Sequence, residues 1–441
     1  MLLRSKSSLL IAGALLLSMA TSAQKVNFTE YDLDNGLHVI LHQDNKAPVV
    51  AVSVMYHVGS KNETPGLTGF AHFFEHLLFE GSQNIKRGEF MKIVSAGGGT
   101  NNANTTQDRT YYYEVFPSNQ LKLGLWLESE RMMHPVINQV GVNTQREVVK
   151  EEKRMRVDNR PYGHLMEAVF TNLFVKHPYH WQPIGSMDDI NRAKLSQFQD
   201  FFKKFYIPGN AVLSISGDLN LDSTKKLIAE YFGPIPGGPK VIQPDVKEDP
   251  ITQQIIDTAY DPNIQVPAIL TGYRTPPENS KDAVVLEMIS SILSGGASSR
   301  LYKELVDDKK TALQVASFNY ALEDYGAYLI LGIPNGNTPL DSLLQAFNEN
   351  IKDLQTNLIS EQDYKKILNQ AEMAFVDKSN SSLGVAEELA DSYTFYNKNT
   401  NHINEELQEI RSVTREQIRD VARKYLNPNQ RLVLYYLPKA K

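Results

Sequence analysis

The sequence contains no cysteine. That excludes disulfides, thiol nucleophiles, thiolate zinc sites and a lipidated-cysteine anchor together. It also lacks a strong charge imbalance: 45 Lys and Arg against 51 Asp and Glu leave a net charge of -6. Neither nucleic acid nor an anionic membrane surface is therefore expected as a partner. Beyond the first 23 residues no stretch reaches the roughly 18 consecutive apolar residues of a membrane-spanning helix. No Gly-x-Ser-x-Gly elbow offers a serine nucleophile. Any metal must then be held by carboxylates and by some of the 10 histidines.

What is present is a globular composition, 41% apolar and 22% charged over 441 residues, a length that points to two or three domains. Residues 1–23 have a basic start (Arg4, Lys6), an apolar run from Leu9 to Ala20 and small residues Thr21, Ser22 and Ala23. That is the layout of a secretory signal peptide, with cleavage expected near Ala23 and Gln24 as the mature start. The expected product is exported, periplasmic or secreted, with no stable membrane insertion after cleavage. A Pro/Gly-rich and then polar segment follows Gly233 and marks a linker at 236–260. It separates an N-terminal domain, 24–235, from a C-terminal domain, 261–441. Each half opens with an apolar strand, a turn-rich segment and a helix closed by glycine, at an offset of about 214 residues. The second domain is thus expected to be a degenerate repeat of the first. Consecutive strand patterns favour an α+β fold of two homologous halves, each a mainly antiparallel sheet with helices packed on it.

The helix of the first half reads AHFFEHLLFEG, residues 71–81, expected to run from near Thr68 to just before Gly81. His72 and His76 lie one turn apart on one face, close enough for both imidazoles to bind one cation. Glu75 is placed to reach a water on that cation rather than the cation itself, as general base. His-x-x-Glu-His is the inverted form of the His-Glu-x-x-His zinc signature. Catalytic zinc takes three protein ligands and keeps a fourth position open. The segment 144–159 offers Glu147, Glu151 and Glu152 as the third. At helical period Glu147 and Glu151 share a charged outer face with Arg154 and Asp158, whereas Glu152 falls beside Val148, Val149 and Met155. A carboxylate in an apolar stripe needs a partner. The expected site is therefore one Zn2+ per chain on His72, His76 and Glu152.

Together these residues resemble the pitrilysin or insulinase-type zinc metallopeptidases, and within them the short-chain group that includes mitochondrial processing peptidase. Glu152 follows His76 by 76 residues, the spacing of that family's metal glutamate. The resemblance continues through GGGTNNANTTQDRTYYY, HPYHWQPIG, FYIPGNAVLSISGD and SGGASSRLYKEL. It implies two related halves forming half of a clamshell chamber, and hydrolysis of peptides or unfolded segments. It also assigns Asn102 and Ala103 to a strand whose free edge pairs with an extended substrate. The same polar strand fits an edge kept polar against aggregation. His177 and His180 sit beside proline and tryptophan in a loop-like stretch and are not expected to bind metal.

Two positions depart from the family pattern. Where the family usually has a supporting glutamate, this chain has Gln145, two turns from Glu152 on one helix face and still able to hydrogen-bond. In the second half the family's substrate-holding Arg and Tyr are replaced by Val306 and Leu313. The expectation is an exported zinc endopeptidase subunit that acts as a heterodimer with a related chain carrying the Arg/Tyr pair. The alternative is a catalytically impaired zinc-binding scaffold or peptide-binding subunit of a larger assembly.

Overall fold

The computed structural model describes residues 25–439; the expected signal peptide and its cleavage point lie outside them. Among the described residues no helix is long and apolar enough to cross a membrane, and eleven strands form two sheets. The first comprises β1 (Thr29–Asp32), β2 (His38–Gln43), β3 (Val49–Tyr56), β4 (Thr100–Thr105), β5 (Thr110–Pro117) and β6 (Ala211–Gly217), in the order β1-β2-β6-β3-β5-β4. The second comprises β7 (Ile255–Asp261), β8 (Ala268–Thr275), β9 (Ala312–Tyr320), β10 (Gly326–Pro334) and β11 (Leu432–Pro438), in the order β7-β11-β8-β10-β9. Leaving out β1, the two orders coincide strand for strand. The parallel pairs match as well, β2 with β6 and β7 with β11, and every other pairing is antiparallel. The repeat expected from the offset is thus a repeat of topology. The irregular stretch between the halves ends earlier than expected, because β7 begins at Ile255 and claims the last residues of the 236–260 linker by pairing with β11.

Seven helices shape the site and the junction between the halves: α1 (Phe70–Leu77), α2 (Leu121–Met133), α3 (Gln139–Lys153), α4 (Leu165–Leu173), α5 (Lys281–Ser294), α6 (Glu361–Lys378) and α7 (Ser382–Phe395). β3 reads VVAVSVMY and is apolar on both faces because both are covered. Val50, Val52, Val54 and Tyr56 join the core beneath α1 and α2. Met55, with Ile40, Tyr111 and Val212, packs against Val385, Leu389, Ala390 and Phe395 of α7. That helix belongs to the second half. Reciprocally, Leu165, Val169, Phe170 and Leu173 of α4, a first-half helix, are buried against Leu270, Leu329, Leu432 and Leu434 of the second sheet. Each half therefore lends one helix to the other, and each fully buried leucine or phenylalanine contributes about 1.5–3 kcal/mol.

A polar knot joins the same two halves. Lys61 is fully buried, with its Nζ 3.1 Å from Asp108 Oδ1 and from Asp324 Oδ2 and in contact with Glu323. His57 Nε2 reaches Glu323 Oε2 at 2.7 Å, and the Tyr179 hydroxyl donates to Asp108 Oδ1 at 2.7 Å. His177 Nε2 stands 3.3 Å from Asp324, while His180 Nδ1 pairs with the Phe174 carbonyl at 2.8 Å. Neither histidine belongs to the group of His72, His76 and Glu152. Lys61→Met should cost about 3–5 kcal/mol in urea unfolding, since it strands buried carboxylates without their cation; a variant as stable as the parent would show the knot to be energetically neutral.

Candidate metal centre

The local fold explains how α1 presents its polar face. Gly69 precedes the helix at φ +90°, and an added Cβ there would meet Ile184 O at 3.0 Å and Gly185 Cα at 3.3 Å. The helix starts at Phe70, close to the expected Thr68. Thr68 does not cap it; its hydroxyl donates to Asp189 Oδ2 at 2.7 Å. The cap comes from Glu63, buried, whose two oxygens accept the amides of Gly69 and Ala71 at 2.8 Å each. At the far end the Tyr112 hydroxyl donates to the Phe74 carbonyl at 2.8 Å. Beneath it Arg131 lies fully buried, 3.0 Å from both Glu114 and Glu128 and within 4.3–4.6 Å of the rings of Tyr112, Phe79 and Phe90. Both ends of α1 are thus held by buried polar groups, which fixes the histidines in place.

His72 and His76 project from that helix with ring centroids 4.9 Å apart. Glu152, one residue before the end of α3, comes up between them, with Oε2 3.0 Å from His76 Nε2 and 3.5 Å from His72 Nε2. Among the described residues, these three form the one His/Asp/Glu group whose ligand atoms all lie within 4.8 Å of one another. Glu151, its neighbour, instead pairs with Arg154 on the outer surface, and Glu147 with Lys150. Glu152 Oε2 is buried with the two imidazole nitrogens as its neighbours and no hydrogen bond of good geometry to either. An anionic oxygen left unbonded between two imidazoles, with donors of the type that zinc prefers, fits a cation. Burial, reinforced by His76, pushes His72 down to about 4, so it is neutral at physiological pH as a ligand must be. The neighbouring His76 holds the Glu152 carboxyl below its ordinary value.

Other expected residues fall around this group. Glu75 lies outside it; burial raises its carboxyl, and Oε2 accepts from Thr105 Oγ1 at 2.7 Å. Asn102 and Ala103 sit on β4, the edge of the first sheet, and with Glu75, His76 and Glu152 they line a cavity of about 710 Å³. Gln145 makes its hydrogen bond to Glu80, just past α1, and none to the three candidates. It ties α3 to the end of α1. The apolar stripe expected around Glu152 is only partly buried: Val149 is in the core, but Val148 and Met155 are 43% and 68% exposed and face the cavity. Sequence reasoning missed Arg156, whose Nη1 takes the second Glu152 oxygen at 2.8 Å. Its i, i+4 spacing from Glu152 was the available signal, hidden because α3 continues into a wider π-helical turn at Arg154–Asp158.

The repeat supplies an internal control. α5 packs on α6 as α1 packs on α3. At the positions of His72, Glu75 and His76 it carries Leu286, Ile289 and Ser290, all buried, with the Ser290 hydroxyl donating to the Leu286 carbonyl at 3.3 Å. Val306 is partly buried against the second core, and Leu313 stands 55% exposed on β9.

Comparison with known proteins places the chain in a family. Residues 38–182 match the model of the insulinase family, peptidase family M16, and residues 192–371 that of the peptidase M16 inactive domain. The zinc protease PqqE of Helicobacter pylori is 35% identical over 81% of this chain and 82% of its own length. The chain belongs to peptidase family M16. Another relative, an uncharacterized zinc protease of Mycobacterium leprae, is 27% identical over 92% of this chain and 91% of its own length. The crystal structure of a protease from Helicobacter pylori superposes with a TM-score of 0.88 at 31% identity, covering 93% of this M16 chain and 99% of the other. The periplasmic protease PqqL of Escherichia coli shares the fold at a TM-score of 0.76 and 18% identity; this chain spans 47% of its length.

Proposed function

We propose that this M16 chain is a zinc-dependent endopeptidase subunit, with His72, His76 and Glu152 as ligands of one zinc ion and Glu75 as general base. The observation that carries the reading is the convergence of three ligand atoms within 4.8 Å, one of them a buried unbonded carboxylate oxygen. Zinc bound there would acidify a water in its open position and polarise a peptide carbonyl. The chain's own residues do the rest. Arg156 neutralises the outer Glu152 oxygen and fixes its rotamer. The free edge of β4, at Asn102 and Ala103, aligns an extended peptide through backbone hydrogen bonds. Glu75 accepts the proton of the attacking water and returns it to the leaving amine. Glu152→Gln should lower bound zinc severely, measured by metal analysis after gel filtration, whereas Glu151→Gln should leave it near one per chain. Equal zinc in the two variants would sink the ligand assignment.

A second reading, a zinc-binding scaffold with impaired catalysis, is favoured by Val306 and Leu313, which cannot donate to a developing oxyanion. Glu75 speaks against it, since a structural site needs no base. The partner that reconciles the two is a related subunit bearing the Arg/Tyr pair; a fold shared with a chain of about twice this length supports the idea that two such units act together. Export, with cleavage near Ala23, completes the proposal. N-terminal sequencing of protein from the native host should begin at or near Gln24, and a Met1 start would refute it.

A further inference from the structure

The base proposed above is held by the very strand against which the substrate would lie. Thr105 closes β4, two residues beyond Ala103 and so on the same face of the sheet, towards α1. Its Oγ1 donates to Glu75 Oε2 at 2.7 Å, the one hydrogen bond made by the Glu75 side chain among the described residues. One lone pair of Oε2 is thereby occupied, and Oε1 carries no bond that would compete with a water.

The donor is itself firmly placed. Thr105 pairs with Thr110 across the β4–β5 hairpin. Its neighbour Asn104, pointing to the opposite face, accepts from Arg109 Nη1 at 2.7 Å. Arg109 in turn pairs with Glu387 and Asp391 of α7 at 2.6 and 3.3 Å. A glutamate side chain has three rotatable bonds and, left free, would drift towards the nearby guanidinium of Arg156. Arg156 pairs with Glu152, where a second carboxylate would compete for the metal. The hydroxyl holds Glu75 away from it.

We propose that Thr105 is the positioning residue for the base: its hydroxyl fixes the Glu75 carboxylate beside the metal ligands without letting it join them, and couples that carboxylate to the substrate-pairing strand. This role rests on the assignment of Glu75 as base. Thr105→Val keeps the shape and β-branching of the side chain and removes only the donor; Thr105→Ser keeps the donor.

The test compares the two variants in the assay that gives the parent chain its full rate, with metal analysis, melting temperature and a crystal structure of each. Thr105→Val should keep one zinc, the parental melting temperature and KM within about twofold, and lose about 10- to 100-fold in kcat, the cost of misplacing a reacting group by about 1 Å. Its Glu75 carboxylate should swing away from β4, and Thr105→Ser should restore both position and rate. In a Glu75→Gln background Thr105→Val should cost nothing further. A Thr105→Val enzyme with parental kcat, one whose loss is all in KM, or one whose loss persists in the Glu75→Gln background overturns the positioning role while leaving Glu75 as base. A fully active Glu75→Gln variant overturns the base and this role with it.

Discussion

Glu75→Gln is expected to bind one zinc ion, melt at the parental temperature and lose about 10³- to 10⁴-fold in turnover of a quenched fluorescent peptide. The separation between binding and rate follows from where the side chain sits. Glu75 stands outside the three ligand atoms that lie within 4.8 Å of one another, so its charge is not part of the set that holds the ion. An amide of the same shape can still accept from Thr105 through its oxygen and keep the local packing. It cannot take up a proton from water. Loss of zinc in this variant, or turnover close to the parental value, would refute the assignment.

The largest gain should come from adding a second protein. The lone chain, zinc-loaded, is expected to cleave peptides slowly, and a related subunit that lacks His-x-x-Glu-His but carries Arg and Tyr at the positions of Val306 and Leu313 should raise kcat/KM by about 10²- to 10³-fold, the usual worth of one oxyanion donor. Val306 is partly buried against the core of the second half and Leu313 projects from β9, and neither side chain has a polar atom. Neither can support a developing negative charge. Self-association would add a second metal centre without adding that donor. Size-exclusion chromatography with activity measured across the peak separates the cases: full activity in the fraction holding the lone chain would show the missing pair to be dispensable.

The two-fold repeat and the pairing of His72 with His76 were legible because each shows in the sequence as a fixed spacing. His72 and His76 share a face whatever surrounds the helix, and an offset between two similar openings survives even when the chemistry of one has been lost. Other features depended on what packs where. The cap of α1 could not be assigned from the sequence, because Glu63 supplies it from outside the helix and the left-handed Gly69 before it packs against the distant Ile184–Gly185 backbone. Helical phase put Val148 and Met155 in a stripe with Glu152 but could not tell a core from the wall of a cavity, since both are apolar. Gln145 was within reach of Glu152 by phase alone; Glu80, on another helix end, captured its amide.

The exchange of α4 and α7 bears on the order in which the chain can become a protein. As synthesis proceeds from the N-terminus, every strand of the first sheet exists once residue 217 has been made, yet the helix that covers Ile40, Met55, Tyr111 and Val212 ends only at Phe395. For the length of chain in between, the first sheet has one oily face open and α4 has no sheet to lie on. Each half made alone would leave an apolar face uncovered, and cutting the irregular stretch before β7 is expected to leave two fragments that still clasp each other. During synthesis that face stays open to other apolar surfaces until the last helices arrive.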